Sequence, residues 1–199
     1  MKNSGLQQLA QMYPWPNEKP EVPENLHGWC GAPQQNMFGQ IVRPEMSVIL
    51  ELGSWLGLST RLLLNMAPQV TVICVDHWRG SQEHHANEEF RQKLPTLYET
   101  FLVNLWEERK RIIPVRLTTL AALEEIHQCQ IIPDLIYIDA SHTYRDVYAD
   151  ISTSLRLFPR SVICGDDWSW GEVRLAVMEI AKKQNKSIIL SNQQCWWFE

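Results

Sequence analysis

The sequence predicts an α/β fold: a Rossmann-like, doubly wound, mainly parallel seven-stranded sheet with helices on both faces and an antiparallel closing strand. Three observations carry this. Short β-branched runs recur from residue 47 onward, each apolar nearly throughout, as strands buried on both faces of a parallel sheet should be. Segments with apolar residues at helical spacing separate them, and such alternation implies right-handed βαβ units. Residues 187–198 then change character and read as a hairpin around a polar turn.

In chain order, the five parallel strands are expected at Ser47–Leu52, Thr71–Asp76, Arg111–Leu117, Leu135–Asp139 and Ser161–Gly165. Helices are expected to follow at Leu58–Met66, Asn87–Arg109, Thr119–Gln128, Tyr144–Leu157 and Glu172–Gln184. The third carries Leu120, Leu123 and Ile126 on one stripe, and the last carries Val173, Ala176, Val177 and Ile180. Strands at Ser187–Leu190 and Cys195–Phe198 close the sheet. Residues 1–45, with prolines at 14, 16, 20, 23, 33 and 44, read as an irregular arm with a short helix near Leu6–Met12. Trp15, Trp29 and Phe38 are costly to leave in water, so the arm is expected to pack on the domain formed by residues 46–199.

The chain has 199 residues, 45% apolar and 21% charged, with a net charge of -5. That length suits one domain. The acidic balance and scattered basic residues argue against a nucleic-acid partner. Five dispersed cysteines without a CxxC fit a reducing, cytoplasmic compartment. No segment resembles a signal peptide or a membrane span, so no membrane partner is expected. Self-association is left open.

Ligands of an open α/β sheet bind beyond the carboxyl ends of the strands, at the switch point. The first such loop is Gly53-Ser-Trp-Leu-Gly57. A dinucleotide fingerprint needs a second glycine where Trp55 stands, so that backbone can approach a pyrophosphate. No Gly-Lys-Ser/Thr of a P-loop occurs. A nucleoside ligand without phosphates remains, and S-adenosylmethionine is one. Its carboxylate suits the helix start around Ser59 and Thr60. Its amino group suits Glu51 through water, and its ribose suits Asp76 at the end of the second strand. Strand-end capping is the alternative role for both acids.

The fourth strand ends in Asp139-Ala-Ser-His142 and the fifth in Gly165-Asp-Asp-Trp168. Asp139, His142, Asp166 and Asp167 are expected to converge beside the cofactor. Three carboxylates repel one another unless something positive joins them, and a hard divalent cation such as Mg²⁺ answers that. With an ordinary value near 6.5, His142 can take a proton from an acceptor hydroxyl. Helix capping and backbone bonding are the structural alternatives. Trp55, Trp78, Trp168 and Trp170 follow the ends of three strands and suit the walls of a pocket. His84 and His85 read as exposed, and Gly80–Leu97 as a lid.

Together these residues resemble a known family. Ile49-Leu-Glu-Leu-Gly-Ser-Trp-Leu-Gly-Leu-Ser-Thr60, Val75-Asp-His-Trp78, Ile138-Asp-Ala-Ser-His-Thr-Tyr144 with Asp150, and Gly165-Asp-Asp-Trp168 are similar to a class I methyltransferase subfamily. It includes macrocin and macrolide-sugar O-methyltransferases and cephalosporin hydroxylase-like proteins. The resemblance covers residues 45–199 and implies methyl transfer to oxygen of a small hydroxylated acceptor such as a sugar. It implies Asp139, Asp166 and Asp167 as Mg²⁺ ligands and His142 as base. The candidate cofactor set is Glu51, Gly53, Ser54, Trp55, Gly57, Ser59, Thr60, Asp76, His77, Trp78, Thr119 and Asp139. Asp166 stands where some relatives have Glu, and Ala140 where Gly is common.

Overall fold

A computed structural model describes residues 2–199 and holds one sheet of seven strands. These are β1 (Val48–Leu52), β2 (Thr71–Val75), β3 (Ile112–Val115), β4 (Leu135–Ile138), β5 (Val162–Gly165), β6 (Ile188–Ser191) and β7 (Cys195–Phe198). Their order is β3-β2-β1-β4-β5-β7-β6, with β1 to β5 parallel and β7 antiparallel to both neighbours. The chain winds outward from β1 to β3 and returns to lay β4 against β1. The switch point therefore lies between β1 and β4, as the predicted fold requires.

Nine α-helices occur among the described residues: α1 (Lys2–Met12), α2 (Ala32–Ile41), α3 (Leu58–Met66), α4 (Gln82–Ala86), α5 (Glu88–Arg91), α6 (Leu97–Asn104), α7 (Thr119–Gln128), α8 (Tyr144–Leu157) and α9 (Gly171–Gln184). Successive strand residues point to opposite faces, and the core divides accordingly. Leu50, Leu52, Ile73, Val75, Ile136 and Ile138 face α7, α8 and α9. Ile49, Val72, Cys74, Leu135 and Tyr137 face α2, α3 and α6. No helix among the described residues is long and apolar enough to cross a membrane.

Two segments differ from their sequence-based expectation. The arm carries α1 over the place of the expected short helix and a second helix, α2, that was not expected, with residues 13–31 irregular between them. Its Leu9 packs on one face of the sheet, and Met37, Phe38 and Ile41 pack on the other. Phe38 meets Tyr137 edge-on at 5.0 Å. The single helix expected over Asn87–Arg109 is broken into α5, a 3₁₀ turn at Leu94–Thr96, α6 and a 3₁₀ stretch at Trp106–Arg111. Pro95 has no amide hydrogen and restricts the residue before it, so the chain cannot run straight through. The Asn87 side chain instead accepts from the Glu89 amide and starts α5 afresh.

Candidate functional site

The first loop is built around a buried acid. Glu51 is fully buried at the end of β1 and receives the hydroxyls of Ser54, Ser59 and Thr60. Burial lifts its carboxyl above the usual range, and the three hydroxyls oppose that. Glu51 and Thr60 thus lie beneath the loop and tie the start of α3 to the strand, away from the cleft surface. The expected water-bridged contact from Glu51 to a ligand amine would have to reach it through this layer of hydroxyls. At Gly53, φ is 92°, and an added Cβ would sit 1.9 Å from the Asp139 carbonyl oxygen. Close passage of the loop over the end of β4 therefore requires this glycine. Gly57, at φ 85°, begins α3 with no capping side chain.

Asp76 closes the second strand. Its carboxylate receives the Trp55 amide at 3.0 Å and the Trp78 amide at 2.6 Å, and it still lines the cleft. The two amide bonds match the capping role, and its place on the cleft leaves the carboxylate accessible from there. Burial raises its carboxyl, opposed by those amides. His77 also lines the cleft, but Trp78 does not. The Trp78 ring is buried against Tyr98 and Phe101, and its indole donates to the Trp55 carbonyl at 2.8 Å. Trp168 likewise packs on the core. Of the four tryptophans expected to wall a pocket, Trp55 and Trp170 do so.

The second cluster is assembled, with changed partners. Asp139 receives the Tyr137 hydroxyl at 3.0 Å. Burial, then the nearby Asp166 and Asp167 charges, hold its carboxyl well above the usual range. Asp166 is buried and already bonded at both oxygens. Gln34 of α2 donates to Oδ2, which also lies 3.5 Å from the Tyr137 hydroxyl oxygen, and the Asp167 amide and Cys195 thiol donate to Oδ1. No group of three or more His, Cys, Asp or Glu side chains among the described residues is arranged to hold a metal ion. Asp166 is engaged by the arm and the closing strand, so a cation shared by Asp139, Asp166 and Asp167 would have to displace the Gln34 or Cys195 bond. Asp167, at φ 60°, turns its carboxylate the other way, onto His142.

His142 is not the near-neutral histidine expected from sequence. Its Nε2 lies 2.9 Å from Asp167 Oδ2 and its Nδ1 lies 3.1 Å from Glu83 Oε2, while Trp170 stacks on the ring at 4.4 Å. The Asp167 bond, opposed by burial and helped by Glu83, raises its pKa to about 9.

These groups share one cleft of ≈ 1310 Å³ along the carboxyl ends of the strands. Gly53, Ser54, Trp55, Ser59, Asp76 and His77 lie on it, as do Thr119, Asp139, His142, Asp166 and Asp167. Residues 80–90 cover it, in the place of the expected lid. His84 turns inward and stacks on Trp55 at 4.3 Å, contrary to its expected exposure, whereas His85 is exposed. The arm supplies Trp29, 5.7 Å from Trp55. Among the described residues, neither Lys nor Arg is on the lining. Sequence reasoning missed the site roles of Gln34, Glu83 and Trp29, whose partners Asp166, His142 and Trp55 lie far enough along the chain that no local pattern signals them. Gln34→Ala is expected to destabilise the fold by about 1–3 kcal/mol in urea titration, by leaving Asp166 short of a donor.

The family described as "Methyltransferase domain" matches residues 50–168. No curated protein sequence matches the chain. Among solved structures, the chain is similar to the O-methyltransferase TomG from Streptomyces achromogenes in complex with S-adenosylmethionine, at 14% identity and TM-score 0.60, covering 100% of this chain and 88% of that one. It is also similar to an O-methyltransferase from Bacillus cereus in complex with S-adenosylhomocysteine, at 19% identity and TM-score 0.56, covering 100% and 91%. A precorrin-8W decarboxylase from Methanobacterium thermoautotrophicum is similar at 15% identity and TM-score 0.59, covering 89% and 95%. Likeness at such identities concerns the fold alone. The family match, however, spans more than half of the sequence: this chain belongs to the methyltransferase-domain family, S-adenosylmethionine-dependent enzymes of the class I fold.

Proposed function

We propose that this protein transfers a methyl group to oxygen of a small hydroxylated acceptor, a sugar among them, with His142 as the proton acceptor. The observation that carries the reading is the single cleft in which the Gly53–Ser59 loop and Asp76 face His142, Asp139 and Asp167. S-adenosylmethionine, when bound, supplies an electrophilic methyl on a sulfonium. Asp76 keeps acceptor capacity toward ribose hydroxyls beside its two backbone bonds. Glu51, beneath the loop, holds the start of α3, where uncapped amides suit a carboxylate. In its neutral form, His142 takes the hydroxyl proton as the new O–CH₃ bond forms and the C–S bond breaks. Alignment within the covered cleft supplies most of the acceleration. Among the described residues, seven carboxylates line the cleft (Asp76, Glu83, Asp139, Asp146, Asp150, Asp166 and Asp167) and no Lys or Arg does. That lining favours a neutral or amine-bearing acceptor over a phosphorylated one. The free thiol state of all five cysteines suits a reducing cytoplasm.

The geometry supports metal-independent transfer, since a three-acid Mg²⁺ site would first have to pull Asp166 from Gln34 and Cys195. Calorimetry tests the cofactor: S-adenosylmethionine and its demethylated product are expected to bind and NAD is not. Tight NAD binding with no response to the methyl donor sinks the reading. Turnover is expected to survive chelation by EDTA; a loss restored by Mg²⁺ in the parent protein, but not in Asp139→Ala, would establish the metal-assisted route.

A further inference from the structure

The outer face of α9 is a surface that methyl transfer leaves unused. Its inner face, Val173, Ala176, Val177 and Ile180, is buried in the core. At about 100° per residue, Arg174, Leu175, Met178 and Lys182 share the opposite face, within an arc of ~100° and along ~12 Å of helix. Leu175 is 60% exposed and Met178 51%, although both are large and apolar. Trp170, just before the helix, is 46% exposed, lines the cleft and stacks on His142. One open apolar side chain needs no explanation, but three running from the rim of the cleft along one helix do.

Charge says what covers them. The two acids of α9 are turned aside onto α8. Glu172 accepts the Tyr144 amide at 2.7 Å, and Glu179 accepts the Tyr144 hydroxyl at 2.5 Å and pairs with Lys183. Arg174 and Lys182 are exposed, and neither side chain has an ion pair or hydrogen bond among the described residues. The stripe is therefore apolar with unpaired cations at both ends, on a chain whose net charge is -5. A second copy does not complement it. Two-fold packing of α9 on itself sets like flank against like flank, and the flank of Arg174 carries no acid. An anionic bilayer fits poorly too, because the acid-lined cleft opens beside Trp170 at the start of the helix. A single helix covers the stripe and leaves those carboxylates in water.

We propose that this face docks an acidic amphipathic helix of another protein, whose apolar ridge packs on Leu175 and Met178 while its carboxylates pair with Arg174 and Lys182. Side chains three apart form a ridge that fits the groove of a second helix. Opposite charges at the two ends of that ridge fix the partner's register. A protein docked there stands at the rim of the cleft, next to Trp170 and His142.

The test is fluorescence anisotropy with a labelled helical peptide of about 20 residues, its leucines at spacings of three and four and flanked by glutamates. A second peptide carries lysine in place of each glutamate. The parent protein is expected to bind the acidic peptide on the order of 10-fold tighter than the basic one. Leu175→Ser with Met178→Ser should weaken that binding by a similar factor, as should Arg174→Glu with Lys182→Glu. All four side chains are exposed, so circular dichroism should show both variants folded. Equal affinity of the parent protein for the two peptides overturns the proposal without any variant. Binding that ignores both folded variants overturns it too. Flotation with phosphatidylserine vesicles and no peptide binding would give the face to a membrane. A dimer in sedimentation that Leu175→Ser dissolves would give it to a second copy. Either result overturns the proposal as well.

Discussion

His142→Ala is expected to lower methyl transfer by about 10²–10⁴-fold while S-adenosylhomocysteine binding stays intact. The ring lies at the acidic end of the cleft with both nitrogens on carboxylates, 2.9 Å from Asp167 and 3.1 Å from Glu83. Those partners stabilise the imidazolium, so most of the protein at neutral pH carries His142 protonated, with a pKa of about 9. A base in that state works only through its deprotonated fraction. The transfer rate in metal-free buffer should therefore climb as pH rises toward 9. Glu83→Gln removes one of the two charges holding the proton, and the climb should move to lower pH. A flat profile between pH 7 and 9, or full turnover in His142→Ala on a genuine acceptor, removes His142 from the role. Stability follows the same pair of states. The folded value lies above the ordinary 6.5, so the stabilisation from protonated His142 is complete below pH 6.5 and is lost as pH rises through 9. The difference in melting temperature between the parent protein and His142→Ala in EDTA should shrink over that window.

Gly53→Ala should be the most damaging small substitution in the loop, costing more than ~3 kcal/mol and abolishing cofactor binding. Two effects add. An L residue at φ 92° pays strain of about 1–2 kcal/mol. The new methyl would also stand 1.9 Å from the Asp139 oxygen and 2.8 Å from the Ala140 Cα, and backbone there cannot swing aside. Separation would break the Asp139 amide bond to the Leu52 carbonyl, which joins β1 and β4 at the switch point. Gly39→Ala is the internal control. In α2 an added Cβ meets nothing within 4 Å, and the change should stabilise by about 0.5–1 kcal/mol. Urea midpoints measure both. Comparable stability of Gly53→Ala and the parent protein would show that the loop has room the structure denies it.

Much of this architecture was legible before any coordinate. Continuous apolar runs such as Val48–Leu52 and Leu135–Ile138 announce strands buried on both faces, and their carboxyl ends mark where ligands go. The breaks were less legible. The expected long helix after residue 87 reads well as a periodic pattern, but Pro95 and the Asn87 cap divide it. In the arm the helix near Leu6–Met12 was legible, whereas α2 was not: its buried face Gln34, Met37, Phe38 and Ile41 has helical spacing but begins on a polar residue and lies in a segment with Pro33 and Gly39.

For the site, sequence by itself determined the chemistry available: the left-handed glycines of the first loop, the acid ending β2, and the His142, Asp139 and Asp167 group beyond β4 and β5. These follow from local rules, since strand ends and tight turns are set by near neighbours in the chain. Which partner each side chain takes was decided only by tertiary structure. Glu51 is enclosed by three hydroxyls, Asp166 is claimed by Gln34 from the arm, and His142 is clamped by Glu83 from the cover. Protonation states and lone pairs depend on neighbours that are distant in sequence and near in space. Charges buried together must settle their pKa values jointly, and no local pattern encodes that.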